Sequence, residues 1–236
     1  MKYVLDIHSH TLASGHAYNT IREMACAASE KGLELLGITE HAPQMPGTCH
    51  DFYFSNLKVV SRKMCGVELL LGVELNILDF DGNIDLPKSL LEKMDIVIAS
   101  MHPPCYHAGT KEQNTQAYIN VMKNPYVNVI GHPDDRRYPV NMQALVLASK
   151  ENKVLLELNN SSLNPNGARQ DARENDVEML QLCKEYNVPI VIGSDAHTDS
   201  DVGRHDLAMQ LIKEVCFPEE LIINSEVSKL KKYLNK

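Results

Sequence analysis

A short apolar run that ends in polar, metal-binding side chains and then gives way to a helix recurs along this chain. Tyr3–Ile7 ends in His8-Ser9-His10, Leu35–Thr39 in Glu40-His41, and Glu68–Leu75 contains Glu74. Asp95–Ala99 is followed by Ser100-Met101-His102, Val127–Ile130 by Gly131-His132-Pro133, and Pro189–Ile192 by Gly193-Ser194-Asp195-Ala196-His197. Val154–Leu158 ends in Asn159-Asn160. Runs of four to eight apolar residues without period-two alternation fit strands covered on both faces, which is the habit of parallel sheets. Between them, helices are expected from Asn19 or Thr20 to about Lys31, over Asn56–Cys65, Glu112–Lys123, Val140–Glu151, Asp171–Tyr186 and Leu207–Val215. Ala42–Ser55 reads as a long loop, Phe80–Ile84 as a tight Asp-Gly hairpin turn, Leu221–Asn224 as a short last strand and the basic C-terminus as a helix. This βα alternation argues an α/β fold with parallel strands.

An open sheet and a barrel share that pattern, and the distribution of donors decides between them. An open sheet spreads its strand ends along a line, roughly 4.8 Å per strand. A barrel brings them to one rim, where barrel enzymes keep their sites. The expectation is a distorted seven-stranded (β/α)7 barrel, TIM-barrel-like, spanning residues 1–236 as one domain. The 236 residues, 44% of them hydrophobic, suffice for one sizeable core.

The donors are His8, His10, His16, His41, Glu74, His102, His132, Asp195 and His197. His8 and His10 stand two apart on extended chain and so share a face, which gives a two-histidine bite. His16 follows on a Gly-containing loop. All nine are nitrogen or oxygen donors and none is a thiolate, which argues against a structural cysteine-type zinc knot. Nine donors at one rim exceed what one ion uses and suit two or three. Glu74 is the candidate bridge, because a carboxylate offers two oxygens.

These segments together resemble the motifs of the PHP (polymerase and histidinol phosphatase) family over nearly the whole chain. Gly72–Asp85, Glu157–Ser162 and Gly193–Thr198 resemble its YcdX-type phosphatase branch. The resemblance implies a trinuclear site, usually assigned zinc. His8, His10, Glu74 and Asp195 would hold one ion, His16, His41 and His197 a second, and Glu74, His102 and His132 a third. Three Zn2+ per chain are expected, with Mn2+ or Fe also compatible with these donors. The expected activity is hydrolysis of a small phosphate monoester by metal-activated hydroxide, with Glu74 and Asp195 bridging metals or positioning water. A histidinol-phosphate phosphatase is the near alternative, a 3′-exonuclease-like phosphodiesterase the next and a non-catalytic metal-binding or assembly protein the last. The phosphatase-branch resemblance also hints at a homo-oligomer, a trimer.

Other residues carry plainer readings. Asp6 is assigned to brace a ligating imidazole. His50, His107 and His205 are read as surface histidines. Arg136, Arg137, Arg169 and Arg173 are read as solvated loop charges, with Arg169 the choice if one of them grips phosphate. Phe52-Tyr53-Phe54 either lines the mouth or forms a small loop core. The six cysteines include no Cys-x-x-Cys pair and are expected to be reduced thiols, Cys105 among them a packing residue. The formal charge of −8 and the lack of a basic run outside Lys229–Lys232 speak against nucleic acid. No apolar stretch reaches membrane-spanning length and no secretory signal is seen, so the expected location is the cytoplasm.

Overall fold

The computed structural model describes residues 3–169 and 171–234. In chain order its elements are β1 (Leu5–Asp6), α1 (Ile21–Glu30), β2 (Leu35–His41), α2 (Asp51–Asn56), β3 (Lys63–Met64), β4 (Val67–Asn76), α3 (Lys88–Leu91) and β5 (Val97–Ser100). There follow α4 (Lys111–Met122), β6 (Val129–Ile130), α5 (Met142–Asn152), β7 (Leu155–Asn159), α6 (Ala172–Tyr186), β8 (Ile190–Gly193), α7 (Asp206–Glu214) and α8 (Val227–Leu234). The strands hydrogen-bond in the order β1-β2-β4-β5-β6-β7-β8, every pair parallel, and β3 adds a short antiparallel hairpin on β4. This is the expected seven-stranded barrel, nearly closed.

Burial on both strand faces explains the continuous apolar runs. Leu69, Leu71, Val73 and Leu75 of β4 pack outward in a core shared with Met24 of α1, Tyr118 of α4, Leu145 of α5 and Leu180 of α6. Leu70, between them, faces the barrel interior with Leu5, Ile7, Leu35, Ile98, Val129, Leu155 and Val191. Leu230 of α8 closes this inner core from below. Each such side chain contributes about 1.5–3 kcal/mol by leaving water, so interior and shell both hold the strands in register. The helix starts are written locally. Thr20 accepts from the Glu23 N–H and Glu23 reaches back to the Thr20 N–H, and Thr110 with Gln113 repeats this box at α4. The turn before Ile84 is as expected: Asp79 accepts from the Asp81 and Asn83 N–H groups, and Ile77 bridges Ile84.

Four expectations need correction. The segment read as loop to Ser55 and helix from Asn56 holds α2 at Asp51–Asn56, followed by a 3-10 turn and β3. His50 starts α2 by accepting from the Phe52 N–H, a histidine in the place usually taken by Asp or Ser. The aromatic triplet then divides, with Phe54 in the core, Phe52 exposed and Tyr53 donating to Glu40. Cys26 of α1 and Cys65, in the β3–β4 turn, form a disulfide, because α1 packs over this hairpin and sets their Cα atoms 5.1 Å apart. The pair corrects the expectation of six reduced thiols; Cys49, Cys105, Cys183 and Cys216 are free. Leu221–Asn224 is not a strand but two 3-10 turns, with a single bridge from Ile190 to Ile222.

The last correction has a physical reason in the barrel seam. β1 and β8 end the hydrogen-bonded path. Near the rim, the Asp195 N–H donates to His8 O (2.9 Å) and the His10 N–H to Ala196 O (2.8 Å). Lower down, Asn224 bridges the gap with its side-chain amide. Its Oδ1 accepts from the Ile192 N–H (2.7 Å), and its Nδ2 donates to Ile192 O (2.8 Å) and Leu5 O (3.0 Å). The amide supplies the peptide-like pairing that an eighth barrel strand would otherwise bring. Asn224 is fully buried. Asn224→Ala leaves these backbone groups without partners, and urea unfolding is expected to show a loss of about 2–4 kcal/mol; an unchanged midpoint would show that the seam does not depend on it.

Candidate metal centre

The C-terminal strand ends deliver their side chains to one mouth. His41 closes β2, Glu74 lies two residues before the end of β4, and His102 and His132 each follow their strand by two. His8 and His10 continue from β1, and Asp195 and His197 from β8. His132 (φ 30°) and Asp195 (φ 55°) adopt left-handed backbone, uncommon outside glycine, which reverses the chain at the rim.

Glu74 is the centre of the cluster and is fully buried. Its Oε1 lies 2.8 Å from His132 Nε2 and 3.2 Å from His102 Nε2. Its Oε2 lies 2.8 Å from His41 Nδ1, 3.4 Å from His8 Nε2 and 3.5 Å from His10 Nε2. Asp195 Oδ1 lies 3.3 Å from His10 Nε2 and 3.6 Å from His8 Nε2. Three sets have donor atoms mutually within 4.8 Å and can hold a metal: His8-His10-Glu74, His10-His41-His197 and His41-Glu74-His102. His16 stands further out, at the exposed edge, its ring 4.9 Å from that of His41 and 4.8 Å from that of His197.

The far side of each ring fixes its tautomer. His8 Nδ1 lies 2.7 Å from Glu157 Oε1, an acceptor, so Nδ1 carries the proton. Ser14 gives its only hydroxyl proton to Glu40 Oε2 (2.6 Å), so it accepts from His10 Nδ1–H (3.0 Å). Asn76 spends its amide protons on Ala42 O and Asp85, which leaves its Oδ1 to accept from His102 Nδ1–H (2.7 Å). The Nε2 atoms of His10 and His102 are therefore bare electron pairs, and that of His8 becomes one when a cation displaces its second proton. Those of His8 and His10 face each other at 3.1 Å. His41 Nδ1, His102 Nε2 and Glu74 Oε2 are buried without an aligned hydrogen bond. Converging electron pairs in a dry site repel unless a cation or a proton lies among them.

Several bracing residues escaped the sequence reading. Glu157, a lone carboxylate inside the apolar β7, accepts from His8 Nδ1–H, the His132 N–H (2.9 Å) and Asn159 Nδ2 (3.1 Å). Its isolation in that strand was the available signal. Gly193 makes room for it, since a Cβ there would sit 1.9 Å from Glu157 Oε1. Asn76, Ser14 and Glu40 gave no comparable sign. Asp6 does not brace a ligating ring. Its carboxylate accepts from the Ser194 hydroxyl and N–H and the Gly203 N–H, stitching β1 to the segment after β8. His205 is buried rather than on the surface, its Nε2 3.8 Å from Asp6, whereas His107 is exposed as expected.

The cluster floors a cavity of about 400 Å3 whose walls include Met45, Met101, Pro103, Arg137 and Arg169. Arg169 donates from Nη2 to Asp195 Oδ2 at 2.9 Å. It is neither solvated nor loose, with 15% of its side chain exposed. Arg136 and Arg173 are outward, paired with Asp171 and Glu214.

Burial would raise the pKa of Glu74, but His102, His8 and His41 outweigh it and hold the carboxylate well below its usual range. Asp195 is likewise held low against burial by His8 and Arg169. Burial lowers His8 too, yet Glu157, Glu74 and Asp195 lift it well above an ordinary imidazole. His10 is driven well below by burial and by His41 and His197, and His102 is lowered mainly by burial. In metal-free protein at pH 7, 15N imidazole NMR is expected to show His8 as imidazolium and His10 and His102 as neutral Nδ1–H tautomers. His8 should lose its proton only on titration well above its ordinary pKa of about 6.5. A neutral His8 at pH 6 would contradict this charge balance.

Among the described residues no helix is long and apolar enough to cross a membrane. The PHP domain model matches residues 6–188. A probable phosphatase of Clostridium novyi (strain NT) is 48% identical over 234 residues, covering 99% of this chain and 95% of that protein. A probable phosphatase of Thermoanaerobacter sp. (strain X514) is 48% identical over 235 residues with the same coverage. The crystal structure of histidinol phosphate phosphatase from Lactococcus lactis subsp. lactis Il1403, complexed with zinc, L-histidinol and phosphate, superposes with a TM-score of 0.61. It covers 92% of this chain and 95% of that one at 18% identity, a likeness of fold. With the barrel, the convergent donors and these relatives in agreement, the chain belongs to the PHP domain family.

Proposed function

We propose that this chain is a metal-dependent phosphatase that hydrolyses a small phosphate monoester at a trinuclear site. The observation that carries the reading is the meeting of the His8 and His10 Nε2 atoms at 3.1 Å, beside the Glu74 and Asp195 carboxylates. Nitrogen and oxygen donors in this number fit zinc, and fit manganese or iron by the same chemistry. The names of the probable phosphatase relatives support the reaction class.

In this reading His8, His10, Glu74 and Asp195 hold one ion, His16, His41 and His197 a second, and Glu74, His102 and His132 a third. Bound divalent cations lower the pKa of water and neutralise charge on a phosphoryl group. The chain's own residues do the rest. Glu74 offers one oxygen to each side of the cluster, which keeps the two halves together. Glu157, Ser14 and Asn76 hold three imidazoles by Nδ1, so that Nε2 stays directed inward and basic. Arg169, in the cavity wall, keeps Asp195 in place and would offer its guanidinium to a phosphate oxygen there. The walls contributed by Met45, Met101 and Pro103 limit water around the ester. All nine donors come from one copy of the chain, so the reading needs no partner subunit.

Stripping the protein with a strong chelator is expected to abolish hydrolysis of 4-nitrophenyl phosphate, and zinc or manganese to restore it. Metal-replete protein, its ion content confirmed by elemental analysis, that cleaves no aryl or metabolite phosphate would end the proposal. Glu157→Gln is expected to weaken metal binding by about 10–100-fold in chelator competition, because His8 loses its anionic brace.

A further inference from the structure

Two arginines stand side by side after β6, and the fold treats them differently. Arg136 pairs with Asp171 on the outside, both well exposed. Arg137 lines the cavity above the donor cluster, with 32% of its side chain exposed. The sequence reading placed it among solvated loop charges; the reversal at His132 and the turn after it bring it inward instead.

Its position is fixed before any ligand arrives. Asp135, almost wholly buried, accepts from the Arg137 N–H (3.1 Å). It also accepts from Nε at 3.0 and 2.9 Å and from Nη2 at 2.5 Å. Both carboxylate oxygens are thus engaged by one guanidinium, and Nη1 lies outside that fork. An ordered guanidinium edge in a cavity wall suits a planar or tetrahedral oxyanion, and little side-chain entropy is lost on binding. An ammonium group would instead need Asp135, whose oxygens are already occupied by a cation. Arg169, the other arginine in this wall, is tied to Asp195 on the cluster itself. The two arginines are therefore held by different carboxylates, one on the donor cluster and one away from it.

We propose that Arg137, set by Asp135, is a specificity-determining residue that binds an anionic group on the leaving-group portion of the substrate. Resting on the phosphatase reading, this makes the substrates monoesters that carry a carboxylate or a second phosphate, and disfavours those with an amine, such as histidinol phosphate.

The test uses metal-loaded full-length protein and inert phosphonates as both calorimetric ligands and inhibitors of 4-nitrophenyl phosphate hydrolysis. Propylphosphonate supplies a neutral tail, 3-phosphonopropionate and 4-phosphonobutyrate a carboxylate, propane-1,3-diphosphonate a second phosphonate, and 3-aminopropylphosphonate an ammonium. Wild type is expected to bind a carboxylate or diphosphonate ligand about tenfold more tightly than propylphosphonate, and the ammonium ligand more weakly. The better of the two anionic tails identifies the group. Arg137→Gln should bring the anionic ligands to within about twofold of propylphosphonate, whose own affinity stays within about twofold of wild type, and loss of the pair with Asp135 should lower the melting temperature. Arg137→Lys should keep part of the preference. The inference is overturned if wild type hydrolyses 4-nitrophenyl phosphate but shows no preference for an anionic tail. It is overturned equally if Arg137→Gln keeps the preference, or lowers the melting temperature without altering it. If no ester is hydrolysed, the phosphatase reading has failed, and this inference falls with it.

Discussion

The arrangement depends on one buried negative charge. Glu74 sits inside the barrel where a carboxylate is poorly solvated, and it is tolerable there because imidazoles from four strands surround it. The dependence runs both ways. The rings are held by their outer nitrogens to Glu157, Ser14 and Asn76, which forces their inner nitrogens to face one another. The structure thus spends its polar interactions on keeping electron pairs close together. A core chosen for stability alone would fill the same space with hydrocarbon; this one keeps a place for positive charge.

Support for that charge comes from unlike sources. Glu157 reaches β1 and the β6 end at once, so one carboxylate orients His8 and fixes the backbone of His132. Glycine at 193 is what lets it lie there. Asp6 ties β1 to the segment that carries Asp195 and His197. Bracing and barrel closure are therefore partly the same hydrogen bonds, and damage to one is felt in the other.

Much of this was legible in the residues because it is local. An apolar run followed by His or Glu declares both a strand and a donor, and seven such runs with donors after six of them favour a closed sheet. Capping boxes at Thr20 and Thr110 and the Asp-Gly turn near Ile84 are likewise contained in a few residues. What escaped depends on pairs distant along the chain. Cys26 and Cys65 meet only because α1 lies over the β3 hairpin. His205 is buried by contact with Asp6, at the other end of the sequence. Asn224 reads as part of a strand because its neighbours Leu221, Ile222 and Ile223 are apolar; its side-chain amide, with its backbone O accepting from the Val4 N–H, closes the seam. Arg137 reads as loop charge until the turn after His132 is known. Apolar periodicity reports which residues leave water, and carries no record of which partner a polar side chain finds.

The seam has a consequence for how the protein is made. β1, which leads into His8 and His10, is synthesised well before its partners across the seam: the Asp6 carboxylate accepts from Ser194, 188 residues later, and Leu5 O from Asn224, 219 residues later. Contacts of such separation form late and slowly. His8 and His10 are therefore made long before the residues that fix them against Asp195 and His197. The last of the nine candidate donors is His197, and the seam that holds the first and last of them together waits for Asn224.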